Sequence, residues 1–222
     1  MDLARHRIKR ARKLLSIEEE MKRGNFNLDQ IDQMSDEINW KWVSGHCILP
    51  IQIIERYWNK LDISTVCLTQ KLTPIFLTNH QSTVDWNTVS LAQNLTDDEI
   101  YTFHDHLNLA LVSQNLAWRN LSWECIEKFA NRWKWALICQ CHRSIITEEF
   151  VLRFKEWVVW RQILSCRQLS DKFIVQNIEN VPGGWASVLL RRPMTPYLMR
   201  AARATLEPAA IIPHPDERPI FE

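Results

Sequence analysis

The chain has 222 residues, 46% of them hydrophobic, enough for one domain or an elongated array with a sizeable core. Its 27 Lys and Arg nearly balance 26 Asp and Glu, which argues against a dedicated polyanion binder; four glycines disfavour an all-β fold rich in tight turns and any Gly-rich phosphate loop. Six cysteines spread along a chain able to build a core without staples point to free thiols in a reducing, intracellular setting; no signal-peptide pattern and no apolar run near the roughly 18 residues of a membrane span occur.

The first predicted element is a basic helix over 1–25. Arg5, Arg7, Lys9, Arg10, Arg12 and Lys13 place six cations within nine residues, followed by Glu18-Glu19-Glu20 and a helix stop at Gly24. These cations are candidates for contact with nucleic acid or an anionic partner. Equally, they suit a solvated helix paired to acidic neighbours at the end of an array.

From residue 26 the sequence repeats. Trp40, Ile63, Trp86 and Leu109 follow one another at 23-residue intervals, and Trp135 and Trp160 continue the order after 26 and 25 residues. A partial copy precedes Trp40 at Asn27, Ile31 and Ile38-Asn39, and a degenerate one starts at Trp185. Numbered from the start of each copy, Val or Ile stands at +3, Ser or Cys mostly at +4, and a hydroxyl near +10. The hydroxyls are Thr73, Thr96, Ser122, Thr147, Ser170 and Thr195, whose side-chain oxygens suit them to cap helix N-termini. Pro74 and Pro196 occupy the first helical position after their Thr, and Thr96-Asp97-Asp98-Glu99 reads as a capping box. Apolar residues at +13, +14, +17 and +21 predict a helix of about ten residues after each cap. A shorter helix, near two turns, precedes it. Neither buries its apolar face alone, so the expected architecture is an all-α solenoid of six to seven two-helix segments. Trp40, Ile63, Trp86, Leu109, Trp135 and Trp160 are its packing positions. The array is expected over 26–181, with a degenerate terminal copy over 182–206. Four prolines in 207–222 predict an extended C-terminal tail.

Residues suggestive of chemistry have simpler explanations. Cys139-Gln140-Cys141-His142 offers soft metal ligands, yet Cys139 falls in a slot filled elsewhere by Ser, and paired CxxC spacing is lacking. His104-Asp105-His106 ends a predicted helix, and Asp97-Asp98-Glu99 is accounted for by capping. There is no GxSxG elbow and no Walker or Rossmann glycine pattern. The expectation is therefore no catalytic residue, no cofactor, no metal and no small-molecule substrate. Trp42, Trp58, Trp118, Trp123, Trp133 and Trp157 lie outside the packing positions; any exposed on one face would suit a partner surface.

The stretches VDWNTVSLAQNLTDDEIYTF, LDISTVCLTQKLTPIFLTNH and VVWRQILSCRQLSDKFIVQN resemble the short helical tandem repeats of large DNA viruses and large phages, over roughly residues 26–181. Departures are Ile63 and Leu109 in Trp slots, Cys67 and Cys139 in Ser slots, and insertions after Leu109 and Trp135. The resemblance implies a viral scaffold or interaction role and carries no catalytic residues. The expected function is a non-enzymatic module for protein–protein interaction or self-assembly, in the host cytoplasm or the virion. Alternatives are a virion structural component gripped by its terminal arms, or a nucleic-acid-binding repeat protein using the basic N-terminus.

Overall fold

The structure, a computed structural model, describes residues 2–206 with the exception of Leu116, Ala117 and Arg119. The tail expected over 207–222 lies outside the described residues. Among the described residues the fold is all-α, with sixteen helices and no strand. The chain divides into two compact units, Met1–Trp133 and Lys134–Glu222, a division that falls inside the array expected over 26–181.

In the first unit α1 (Asp2–Lys22) is followed by α2 (Leu28–Met34), α3 (Trp40–His46), α4 (Ile51–Arg56), α5 (Ile63–Thr69), α6 (Pro74–Asn79), α7 (Trp86–Ala92), α8 (Asp97–Phe103), α9 (Leu109–Val112) and α10 (Trp123–Lys128). Alternate helices pack together: α3 on α5, α5 on α7, α7 on α9, and α8 on α10. Helix α1 packs against α2 and α3, and ends in a Schellman turn. Gly24 takes φ +87°, its N–H reaching the Met21 carbonyl and that of Asn25 the Glu20 carbonyl. The second unit holds α11 (Trp135–Cys141), α12 (Glu148–Arg153), α13 (Trp160–Ile163), α14 (Asp171–Gln176), α15 (Gly184–Arg191) and α16 (Pro196–Leu206); α11 packs on α13 and α14 on α16.

The core follows the sequence period. Val43, Val66, Val89 and Val112 in the first unit, and Ile138, Ile163 and Val188 in the second, are all completely buried at +3. After Thr73, Ser122, Thr147 and Ser170 the residues three and four on, such as Phe76-Leu77 and Phe150-Val151, form a second buried row. Trp40, Leu109, Trp135 and Trp160 are buried, whereas Ile63 and Trp86 are only partly so. Trp40 stacks on Tyr57 at 4.5 Å, and the Trp86 ring lies 5.3 Å from Phe103. Where Ile63 replaces Trp, Trp58 instead packs edge-on against Phe76 at 5.0 Å.

The helices after the caps are shorter than expected. Each has six or seven residues up to α14, similar to those before them, rather than about ten. The chain leaves α geometry at the +17 region, with Tyr57 and His80 both at φ −115°, ψ 21°. The i→i−4 hydrogen bonds continue one step further, from Leu61 to Tyr57 and from Val84 to His80, now closing a turn. That turn carries the helix-like apolar spacing out to +21 while reversing the chain.

Short helices leave most of their backbone polar groups without internal partners, and side chains take them up at equivalent positions. The residue before each start caps the helix in the first unit: the side chains of Asn39, Asp62, Asp85 and Asn108 accept the N–H of Trp42, Thr65, Thr88 and Leu111. The hydroxyls near +10 cap the other helices, with Thr73 accepting from Phe76, Ser122 from Cys125, Thr147 from Phe150, Ser170 from Phe173 and Thr195 from Leu198. Thr96 makes a complete capping box with Glu99. At +4 a small side chain joins neighbours. Ser44 Oγ donates to the Trp40 carbonyl and accepts the Asp62 N–H at 3.0 Å; Ser90 repeats this with Trp86 and Asn108. Cys139 Sγ accepts the Val159 N–H in the second unit.

At +7 a buried amide does the same work more extensively. Gln70 Oε1 accepts the Leu49 N–H at 2.9 Å, and its Nε2 donates to the Ser44 and Cys47 carbonyls. Gln93, 23 residues later, accepts from Leu72 and donates to Cys67 and Gln70 at 2.7 and 2.8 Å. Asn115, six residues after Leu109, donates to the Ser90 and Gln93 carbonyls. Each amide thus binds the carbonyl of its own counterpart one copy earlier. In the second unit Arg192 stands seven residues after Trp185. Its guanidinium donates to the carbonyls of Leu164, Cys166 and Leu169 and pairs with Asp171 at 2.9 Å.

Replacing Gln93 with Leu strands one N–H and two carbonyls in the core, and is expected to destabilise the fold by about 3 kcal/mol in chemical denaturation. Gln93→Glu should lose further stability as pH rises, because the protonated acid can donate once and the carboxylate not at all. The Ser64 and Thr88 hydroxyls hold the Asp85 carboxyl below its ordinary range. Its anion stabilises the fold above the unfolded value, and that contribution disappears as pH falls through the lower folded value. Asp85→Asn should therefore show a flatter stability profile below about pH 4.

Candidate interaction surface

The groups with catalytic or metal-binding character are engaged in packing and hydrogen bonding. His104 Nδ1 lies 3.0 Å from Asp105, and its carbonyl accepts from Arg132 at 2.7 Å. His106 stacks on Trp86 at 5.0 Å. Cys139 and His142 are completely buried whereas Cys141 is exposed, so Cys139-Gln140-Cys141-His142 does not converge. Among the described residues no three His, Cys, Asp or Glu side chains are grouped to hold a metal ion. No helix among them is long and apolar enough to cross a membrane.

Apolar surface is the more informative feature. Leu68 and Leu91, both at +5, are 57% and 46% exposed, and Ile48 is 88% exposed. Leu68 flanks a groove of about 720 Å³ in the first unit, walled by Pro74 and Leu77 and by Leu95 and Glu99 of the next copy. The +5 side chains point away from the core because Val66/Cys67 and Val89/Ser90, one and two positions earlier, face inward. In the second unit Leu189, Leu190, Tyr197, Met199 and Leu206 are exposed. The tryptophans outside the packing positions do not form this surface. Trp58, Trp118 and Trp133 are core residues; only Trp157, 40% exposed, has the accessibility expected of a hot spot. The indole N–H explains the burial of Trp58 and Trp133, since it reaches Thr83 Oγ1 in one and the Ile126 carbonyl in the other.

The cations of α1 divide into two sets. Arg10 Nε lies 2.9 Å from both Glu37 oxygens, and Lys13 Nζ is 3.2 Å from Gln33 Oε1. Arg5, Arg7, Lys9 and Arg12 are exposed and make no ion pair among the described residues. The lower half of α1 is bound to the body through buried Ile17 and Met21. Glu18 Oε1 accepts the Asn39 N–H at 2.9 Å, the role Ser44 and Ser90 play further on.

Sequence reading had named the cap hydroxyls but not the Asp/Asn caps before each start, which the same capping rule would have found. The +7 amides and Arg192 carry no local signal beyond their position in the period.

Burial raises the thiols of Cys67 and Cys139 to about 11; burial and then the nearby Asp97 charge raise Cys125 to about 12. Burial also pushes Cys47 and Cys166 upward. At neutral pH one thiol, Cys141, is expected to react rapidly with a disulfide reagent. The other five should react roughly a hundredfold more slowly until the protein is unfolded, as thiol titration would read.

No family model matches the sequence, and no solved structure matches it. The chain is similar, at 27% identity over 150 residues, to an uncharacterized 54.7 kDa protein of the IAP1-SOD intergenic region of Autographa californica nuclear polyhedrosis virus. The alignment covers 67% of this chain and 32% of the viral protein, so the chain spans about a third of that relative's length. The likeness points to a viral origin.

Proposed function

We propose that this chain is a non-enzymatic viral interaction or assembly module, built as a solenoid of short two-helix repeats whose exposed +5 side chains meet a protein partner. The observation that carries the reading is the series of buried amides at +6 or +7. Gln70, Gln93 and Asn115 are buried, and each is hydrogen-bonded to the backbone of the copy before it. Side chains used in this way hold a scaffold in register. Ile48, Leu68 and Leu91 face outward in the first unit, and Leu68 lies beside an open groove, the composition of a contact surface. The virion is one setting for such a module and the host cytoplasm the other.

The test is affinity purification of the full chain, tagged and at native abundance, from infected cells, with Leu68→Glu/Leu91→Glu as the comparison. Both side chains are exposed, so the variant should keep its thermal unfolding midpoint. The expected result is a defined co-purifying protein in stoichiometric amount whose recovery falls about tenfold in the variant. Recovery unchanged by the variant, or a chain that purifies alone from both, contradicts the reading. Mass spectrometry of purified particles separates the virion from the cytoplasmic setting.

A further inference from the structure

We infer that the exposed half of α1 is a docking helix for an acidic amphipathic helix of a partner protein, a site separate from the +5 surface and independent of the stacking reading. Two faces of α1 have different tasks. Ile17 and Met21 are buried against the body, and Arg10 and Lys13 on the same side reach Glu37 and Gln33. About 125° around the helix, at roughly 100° per residue, lies a second line: Ala4, Ile8, Ala11 and Leu15. Its spacing of four, three and four is that of a coiled-coil seam. Ile8 is 55% and Leu15 61% exposed, and the two alanines are exposed as well.

The flanks of this seam decide what covers it. Arg7 borders it on one side, Arg5 and Arg12 on the other, and none of the three is paired among the described residues. These are the e and g positions of the seam, where charge selects the partner. A second copy of the chain would set arginine against arginine, so self-pairing is disfavoured. Phosphate recognition would use the arginines but leave Ile8 and Leu15 without a role. An interfacial membrane helix would need a broader apolar face with aromatic or more leucine side chains than two large residues and two alanines supply. A helix with apolar residues at a and d and glutamates at e and g satisfies both the seam and its flanks, and the small Ala4 and Ala11 allow close approach.

The experiment uses the whole chain and a synthetic helical peptide with leucines at a and d and glutamates at e and g, read by fluorescence anisotropy. Controls are a scrambled peptide of the same composition, a version with lysines at e and g, a short DNA duplex, and phosphatidylserine vesicles. The glutamate peptide should bind in preference to all four controls. Ile8→Asp/Leu15→Asp should weaken it at least about tenfold. Arg5→Glu/Arg7→Glu/Arg12→Glu should lose it and gain the lysine peptide. All five positions are exposed, and an unchanged circular dichroism spectrum confirms that the variants are folded. Equal binding of the scrambled peptide, no binding of the glutamate peptide, or tighter binding of the duplex or vesicles that survives Ile8→Asp/Leu15→Asp overturns the inference.

Discussion

Helices of six or seven residues are nearly all ends. An α-helix leaves its first four N–H groups and last four carbonyls without internal partners, so in α3 through α8 the unsatisfied groups outnumber the satisfied ones. Burial of such helices is tolerable only if something else takes up those groups, since each buried orphan costs about 1–3 kcal/mol. Here Ser, Thr, Asn, Asp, Gln and one Arg do so from fixed positions in the sequence period. The apolar rows at +3 and after the caps supply the driving force. The polar positions make that burial possible and dictate which copy lies against which.

The same requirement explains how variation is accommodated. Cys67 stands where Ser44 and Ser90 stand, completely buried, and the Asp85 N–H of the next cap lowers its thiol against the rise that burial causes. Acidic residues just inside the capped helices reach forward: Asp97 accepts the Ser122 N–H at 3.0 Å and Glu148 that of Ser170 at 2.8 Å. Pro74 cannot offer that carboxylate, and the Thr96 N–H is met instead by its own Glu99 at 2.8 Å. Asn115 is a methylene shorter than Gln; it still donates to the Gln93 carbonyl, and the Leu95 N–H turns back to that same oxygen at 3.1 Å. The identity of the side chain changes while the backbone group it serves stays the same.

Much of this was legible in the sequence because capping is local. A Thr three residues before the N–H it binds, followed by Pro or acids, declares a helix start without reference to the rest of the fold. Asp62 and Asp85 declare theirs by the same rule, just before Ile63 and Trp86. Gln70 and Gln93 were legible only as recurring letters, since an amide has no strong local preference and its partners lie a full period away. Helix length was misjudged because the turn after Tyr57 and His80 keeps an i→i−4 bond. The division after Trp133 follows irregular spacing between Leu109 and Trp135, which showed as an insertion but not as a boundary.

Glu18 and Arg192 have a common consequence. An interior amide such as Gln93 gives and takes its hydrogen bonds with the copy before it, while the small residue at +4, such as Ser90, receives the N–H of the copy after it. A carboxylate only accepts and a guanidinium only donates. Glu18 can open a series in the first unit without needing anything before it. Arg192 makes its contacts backward in the second, to the Leu164, Cys166 and Leu169 carbonyls. Duplication of an interior stretch such as Ile63–Asp85 would carry both kinds of group with it, Gln70 facing the stretch before and Cys67 the stretch after.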